Sequence, residues 1–190
     1  MPGRLPALAL ALGVTVGGPL ASAALTLPRL GPAPNFALTT SLGGRVWLTQ
    51  LRPRVVVLTF GCLGCDVCAA VLPNLADAVR ELGDVAGHRV FFAFVSVDPA
   101  RDTPAALRAF ARSRGLGAPA WLFLTGEPGE IDVVTRRYDV TVRREGERVI
   151  PRCLTALIDS AGSLRAAYNA TDLGRLRGDL AAVLAEDHLR

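Results

Sequence analysis

Lysine is absent from this 190-residue chain: all 21 basic residues are arginine. That bias is read as a mark of genome composition rather than of function. Histidine is nearly absent as well, with only His88 and His188. Their positions leave a Ser-His-Asp hydrolytic site without a base, and both are read as surface residues. No phosphate-cradling glycine loop and no nucleic-acid-binding motif is visible. Neither a low-complexity linker nor an internal repeat interrupts the chain. Hydrophobic residues make up 51% and charged residues 20%, which excludes a disordered chain. The length gives one well-cored domain.

Charge is also missing from residues 5–28, between Arg4 and Arg29. A basic start, an apolar run and the small-residue site Ala21-Ser22-Ala23 describe a secretory signal peptide over residues 1–23. The same span approaches the ~20 residues of a membrane helix and can instead be retained as an anchor. Gly17, Gly18 and Pro19 favour cleavage. Either way the domain is expected outside the cytoplasm, at the outer face of the membrane or in a periplasm. Residues 24–33 are expected to be a linker and residues 34–188 the folded domain.

What is there is patterned. Short apolar runs on either side of Gly43-Gly44 predict a β-hairpin from Pro34. The run RVVVLTF ending at Phe60 predicts a buried parallel strand. A helix follows, with Val71, Leu72, Leu75, Val79 and Leu82 on one stripe and Pro73 expected to kink it. VFFAFVSV and WLFLTG predict two more buried strands. Between them Thr103-Pro104 opens a helix, and GEIDVVTRRY predicts another after WLFLTG. LTALID and LRAAYNA flank a turn at Asp159–Gly162 and predict a second hairpin. Thr171 is expected to cap a last helix reaching about Ala185. The whole predicts an α/β fold, a central sheet with helices on both faces. The arginines from Arg136 to Arg152, interleaved with Asp139, Glu145 and Glu147, predict a solvated hairpin in preference to an acidic-partner dock.

Three of the four cysteines, Cys62, Cys65 and Cys68, follow directly on the first buried strand. Backbone N–H groups and the helix dipole at such a junction stabilise a thiolate, which both disulfide exchange and metal ligation require. Cys65 and Cys68, as C-x-x-C there, look like the redox site of thioredoxin-like proteins. Cys153 is the fourth cysteine.

VSVDPARDTP, residues 95–104, together with PNFAL and the frame around the cysteines, resembles the Sco/SenC family of thioredoxin-fold copper chaperones. The resemblance covers roughly Pro34 to Ala185. It implies a thioredoxin-like fold with a mixed sheet and an N-terminal β-hairpin extension. It also implies a role in assembling the dinuclear copper site of cytochrome c oxidase, and periplasmic thiol–disulfide exchange. The family's frame, counted from Phe60 and from Asp66-Val67, lands on Cys65 and Cys68 as the functional pair, one residue closer together than is usual. Cys62 is then the extra thiol. The family's third copper ligand, a histidine, falls on Pro151. Because i and i+2 in a strand share a side, Cys153 can face where that histidine would, close, by analogy, to the cis-proline position of related thioredoxin-like proteins.

Several readings follow. In the first, Cys65 and Cys68 hold Cu(I), with Cys153 or Cys62 replacing the imidazole; the partner is the copper-site subunit of cytochrome c oxidase or another periplasmic copper or thiol protein, and nucleic acid is not a partner. In the second, the protein is a metal-free thiol–disulfide oxidoreductase in which Cys65 attacks and Cys68 resolves. A four-cysteine Zn or Fe–S site and a purely structural pair of disulfides are minor readings. Asp98, Arg101 and Asp102 are read first as loop architecture, with Asp102 or Thr103 capping a helix.

Overall fold

A computed structural model describes residues 26–146 and 148–188; the expected signal segment, residues 1–23, lies outside them. In chain order the elements are β1 (Gly31–Pro32), β2 (Ala37–Thr40), β3 (Arg45–Trp47), β4 (Val55–Gly61), α1 (Asp66–Leu82), β5 (Val90–Ser96) and α2 (Pro104–Ser113). They continue with β6 (Trp121–Thr125), α3 (Pro128–Arg137), β7 (Val142–Glu145), β8 (Arg148–Pro151), β9 (Leu154–Ile158), β10 (Ser163–Asn169) and α4 (Leu176–His188).

Eight strands form one mixed sheet in the order β1-β10-β9-β4-β5-β6-β2-β3. β4, β5 and β6 are parallel, with Val55 opposite Val90 and Phe92 opposite Trp121. β9 runs antiparallel to β4, and β2 to β6. β7 and β8 make a separate two-stranded ribbon, the expected arginine-rich hairpin.

The strand period of two divides the buried runs between two cores. Val56, Leu58 and Phe60 of β4 enter one core with Ala93 and Val95, beneath Ile131 and Val134 of α3 and Phe36 and Leu38 of the N-terminal hairpin. Val55 and Val57 enter the other, with Phe92 and Phe94, beneath Leu72 and Leu75 of α1, Leu107 of α2 and Leu180 and Val183 of α4. All seven residues of β4 are buried, which is why its sequence is a continuous apolar run rather than an alternation.

α1 runs continuously through Pro73. The chain departs from the sequence expectations at two places. Thr171 is exposed; the chain instead makes a 3-10 turn at Leu173–Arg175, with Asp172 at its N-cap, before α4 starts at Leu176. The tighter turn buries both Leu173 and Leu176 against the sheet. The stretch 24–33, expected as a linker, is attached from Leu27 onward. Gly31 and Pro32 pair with Leu164 and Ser163, and the Arg165 side chain, only 2% exposed, donates to the carbonyls of Leu27 and Pro28. Arg165 also pairs with Asp159 at 3.3 Å and Glu186 at 2.8 Å. One buried guanidinium thus ties together the N-terminal arm, the β9–β10 turn and α4.

Among the described residues no helix is long and apolar enough to cross a membrane.

Candidate functional site

The three clustered cysteines sit where β4 leaves the C-terminal edge of the sheet and the chain turns into α1. Parallel strands with crossover helices leave a crevice at this edge, outside the strand carboxyl ends. The Val97 N–H continues the β4–β5 ladder onto the Gly61 carbonyl at 2.8 Å, so the turn starts from a fixed base. The Cys65 N–H then returns to the Cys62 carbonyl at 3.2 Å. Cys65 has extended dihedrals and is the N-cap of α1, the position whose side chain lies over the helix's unpaired N–H groups.

This turn brings the Cα atoms of Cys62 and Cys65 to 5.3 Å, and the two are joined as a disulfide. Cys62, expected to be the extra thiol, is therefore the bonded partner of Cys65: the tight return of the chain between them puts both Cβ atoms on one side. Cys68 lies in the first turn of α1; its side-chain position is outside the description. Both bonded sulfurs face the Val149 carbonyl of β8, at 3.7 Å from Cys62 and 3.4 Å from Cys65. In the disulfide these are contacts only. Once reduced, either thiol can donate to that oxygen.

Cys62, Cys65, Val149 and Cys153 belong to the same buried core. Cys153 does not lie within a strand as expected: β8 ends at Pro151 and β9 begins at Leu154. The alternation nevertheless persists, with Pro151 and Cys153 buried and Arg152 exposed. The cis peptide bonds among the described residues are Arg52–Pro53 and Ala118–Pro119, so the bond before Pro151 is not one of them.

No imidazole approaches from the described residues. His88 is exposed and its Nδ1 lies 3.0 Å from the Asp84 carbonyl, just ahead of β5. That is the opposite end of a seven-residue parallel pair from the cysteines, ~20 Å away at the strand rise. His188 ends α4. Among the described residues no group of three or more His, Cys, Asp or Glu could hold a metal ion. The donor chemistry at the turn fits Cu(I), which is satisfied by two or three thiolates, and does not suit a hard cation. Reduced Cys62 and Cys65 would be two such donors, with Cys68 three residues further on.

The signature loop after β5 reaches this turn. Thr103 caps α2, its hydroxyl accepting the Ala106 N–H at 3.2 Å. The Asp102 carboxylate points elsewhere: its Oδ2 accepts the Leu63 N–H at 3.0 Å and the Ser96 hydroxyl at 2.6 Å. Burial raises the Asp102 carboxyl above its ordinary value, partly offset by these two hydrogen bonds. Asp98 pairs with Arg101 at 3.7 Å. Ser96 and the Val149 carbonyl were not recognised from the sequence. A serine at a strand end and a backbone oxygen carry no local signal, although the position of Ser96 inside VSVDP was a clue. The β7–β8 ribbon that carries Val149 exposes Arg143 and Arg144, with Arg152 just beyond it.

A C-x-x-C turn between a buried parallel strand and a helix, in an α/β sheet with antiparallel additions, defines a thioredoxin-like protein. The SCO1/SenC family model matches residues 29–183, and the chain belongs to that family. It is 36% identical over 104 residues to Protein SenC of Rhodobacter capsulatus, covering 54% of this chain and 45% of that protein. It is 35% identical over 106 residues to Protein SCO1 homolog 1, mitochondrial, of Arabidopsis thaliana, covering 55% and 31%. The chain thus spans less than half the length of these curated relatives. The crystal structure of Arabidopsis thaliana ScoI with copper bound superposes with a TM-score of 0.71 at 27% identity, over 81% of this chain and 98% of that one.

Proposed function

We propose that this chain carries Cu(I) outside the cytoplasm and serves in assembling the copper site of cytochrome c oxidase. The observation that carries the reading is the cysteine turn at the β4–α1 junction in a member of a family with a copper-bound structural neighbour. Cys65 is the central donor. The family frame adds Cys68, the turn geometry adds Cys62, and Cys153 is the reserve in place of the histidine that Pro151 lacks. Thiolates are soft donors that favour Cu(I) over Cu(II), so the Cys62–Cys65 disulfide must be reduced before copper is taken up. The partner is the copper-site subunit of the oxidase or another periplasmic copper or thiol protein, and the N-terminal segment exports the domain or anchors it to the membrane.

A metal-free reading is favoured by Pro151 at the histidine position and by the bonded Cys62–Cys65 pair. Here a thiolate of the reduced turn attacks one sulfur of a substrate disulfide and expels the other as thiolate. The second cysteine then attacks the mixed disulfide, releasing the substrate dithiol and re-forming the protein disulfide.

Anaerobic Cu(I) titration of the reduced protein against a competing chelator separates the two. One Cu(I) per chain is expected, lost in Cys65→Ser and weakened in Cys68→Ser or Cys62→Ser. Uptake no greater than background would overturn the copper reading and leave the oxidoreductase.

A further inference from the structure

Asp102 follows β5 and directly precedes the N-cap of α2, where an aspartate would ordinarily serve its own helix. Thr103 performs that task. The Asp102 side chain, with the residue only 3% exposed, is instead turned across the sheet edge onto the loop after β4. There it meets the N–H of Leu63, one of the two residues between Cys62 and Cys65, at 3.0 Å.

The carboxylate is itself held from behind. The Ser96 hydroxyl donates to the same oxygen at 2.6 Å, and the Asp98 N–H donates to that hydroxyl at 3.1 Å. The Asp102 N–H closes back onto the Asp98 carbonyl at 2.8 Å. Ser96 is fully buried and Asp98 is 5% exposed, so the chain of bonds is shielded from water. A buried carboxylate is costly unless it is engaged, and here the engagement is with the cysteine turn.

We propose that Asp102, braced by Ser96, is a positioning residue for the cysteine site: by accepting the Leu63 N–H it holds the turn that keeps the Cys62 and Cys65 sulfurs within reach of one another. The proposal rests on the reading of this turn as the working site. A held turn raises the effective concentration of one thiol at the other, and so favours the closed disulfide over the open dithiol.

The test is the equilibrium with glutathione. The protein disulfide and two glutathione thiols exchange for two cysteine thiols and oxidised glutathione: one S–S bond breaks, one forms, and two protons pass to the cysteines. The Cys62–Cys65 fraction is read by mass after alkylation and digestion of the full chain. A hydrogen bond to a charged acceptor contributes more than a neutral one, so Asp102→Ala is expected to shift the equilibrium about tenfold toward the dithiol, ~30 mV. Asp102→Asn keeps an oxygen for the Leu63 N–H and is expected within about threefold of wild type, and Leu63 amide exchange should accelerate in the alanine variant alone. Asp102→Ala within twofold of wild type would overturn the proposal. So would Asp102→Asn shifting as far as Asp102→Ala, since charge rather than anchoring would then be responsible. If Asp102→Ala does not fold, Ser96→Ala carries the test: a shift of about threefold is expected, and none overturns it. The measurement uses no metal, so copper binding can fail while the Asp102 effect stands.

Discussion

Reducing the protein should cost little stability, and the size of that cost reports which cysteines are bonded. In the chain-entropy account a disulfide stabilises by restricting the unfolded chain, and the effect grows with the logarithm of the loop it closes. Cys62 and Cys65 are separated by three positions, so the closed loop is about four residues long and the restriction is worth ~2 kcal/mol. A bridge from Cys62 to Cys153 would close a loop of about 90 residues, worth ~4.6 kcal/mol. The reduced sulfurs regain only weak S–H donation to the Val149 carbonyl, which trims the first figure slightly. The assay is urea unfolding of the oxidised and reduced chain at one pH, with equal slopes required before the midpoints are compared. A loss of ~2 kcal/mol is expected, or ~4–8 °C in Tm for a chain of this size. A loss of 4 kcal/mol or more would show that the long loop is the one closed. An unchanged midpoint would show that the short one contributes nothing, and either result refutes the geometry of the turn.

Arg165→Met should be among the most costly substitutions outside the core. It leaves the buried Asp159 carboxylate with the Ser163 N–H at 2.8 Å and a half-exposed Arg29 at 3.6 Å, and breaking a buried pair this way costs about 3–5 kcal/mol. Chemical denaturation measures it, and a loss under about 1 kcal/mol would contradict the role given to this arginine. The Asp102 carboxyl, raised by burial, has a pH signature. A group whose folded value lies above its unfolded one binds its proton more tightly when folded, so it adds stability below the ordinary value of 3.8 that is lost as pH rises through the folded value. The stability of wild type relative to Asp102→Asn should therefore fall between acid and neutral pH in denaturant titrations; a rise would be the wrong sign for a buried acid.

Much of the fold was legible because its signals are local. The continuous run Val55–Phe60 can only be a strand covered on both faces, and the Thr103-Pro104 pair marks a helix start wherever it lies on a surface. Gly43-Gly44 and Asp159–Gly162 closed their hairpins as expected, with the positive dihedrals such reversals use at Gly43, Gly44 and Gly162. The misreadings lay where tertiary contacts override local preference. Thr171 is a good cap in isolation, but burying Leu173 and Leu176 requires a tighter turn. Residues 24–33 look like a linker until Arg165, more than a hundred positions away, supplies donors for their carbonyls.

At the site the division is sharper. Sequence by itself determined the family, the thiol chemistry, the placement of three cysteines at a strand–helix junction and the lack of a histidine near Pro151, because each is a matter of residue type and spacing along one segment. Only the tertiary structure decided that Cys62 lies against Cys65, that β8 lays the Val149 carbonyl over both sulfurs, and that the carboxylate of Asp102 reaches the N–H between them. The last two join segments 39 to 87 positions apart, and the Asp102 contact forms because parallel strands deliver the loops after β4 and β5 to one edge of the sheet. No periodicity in the chain records that meeting.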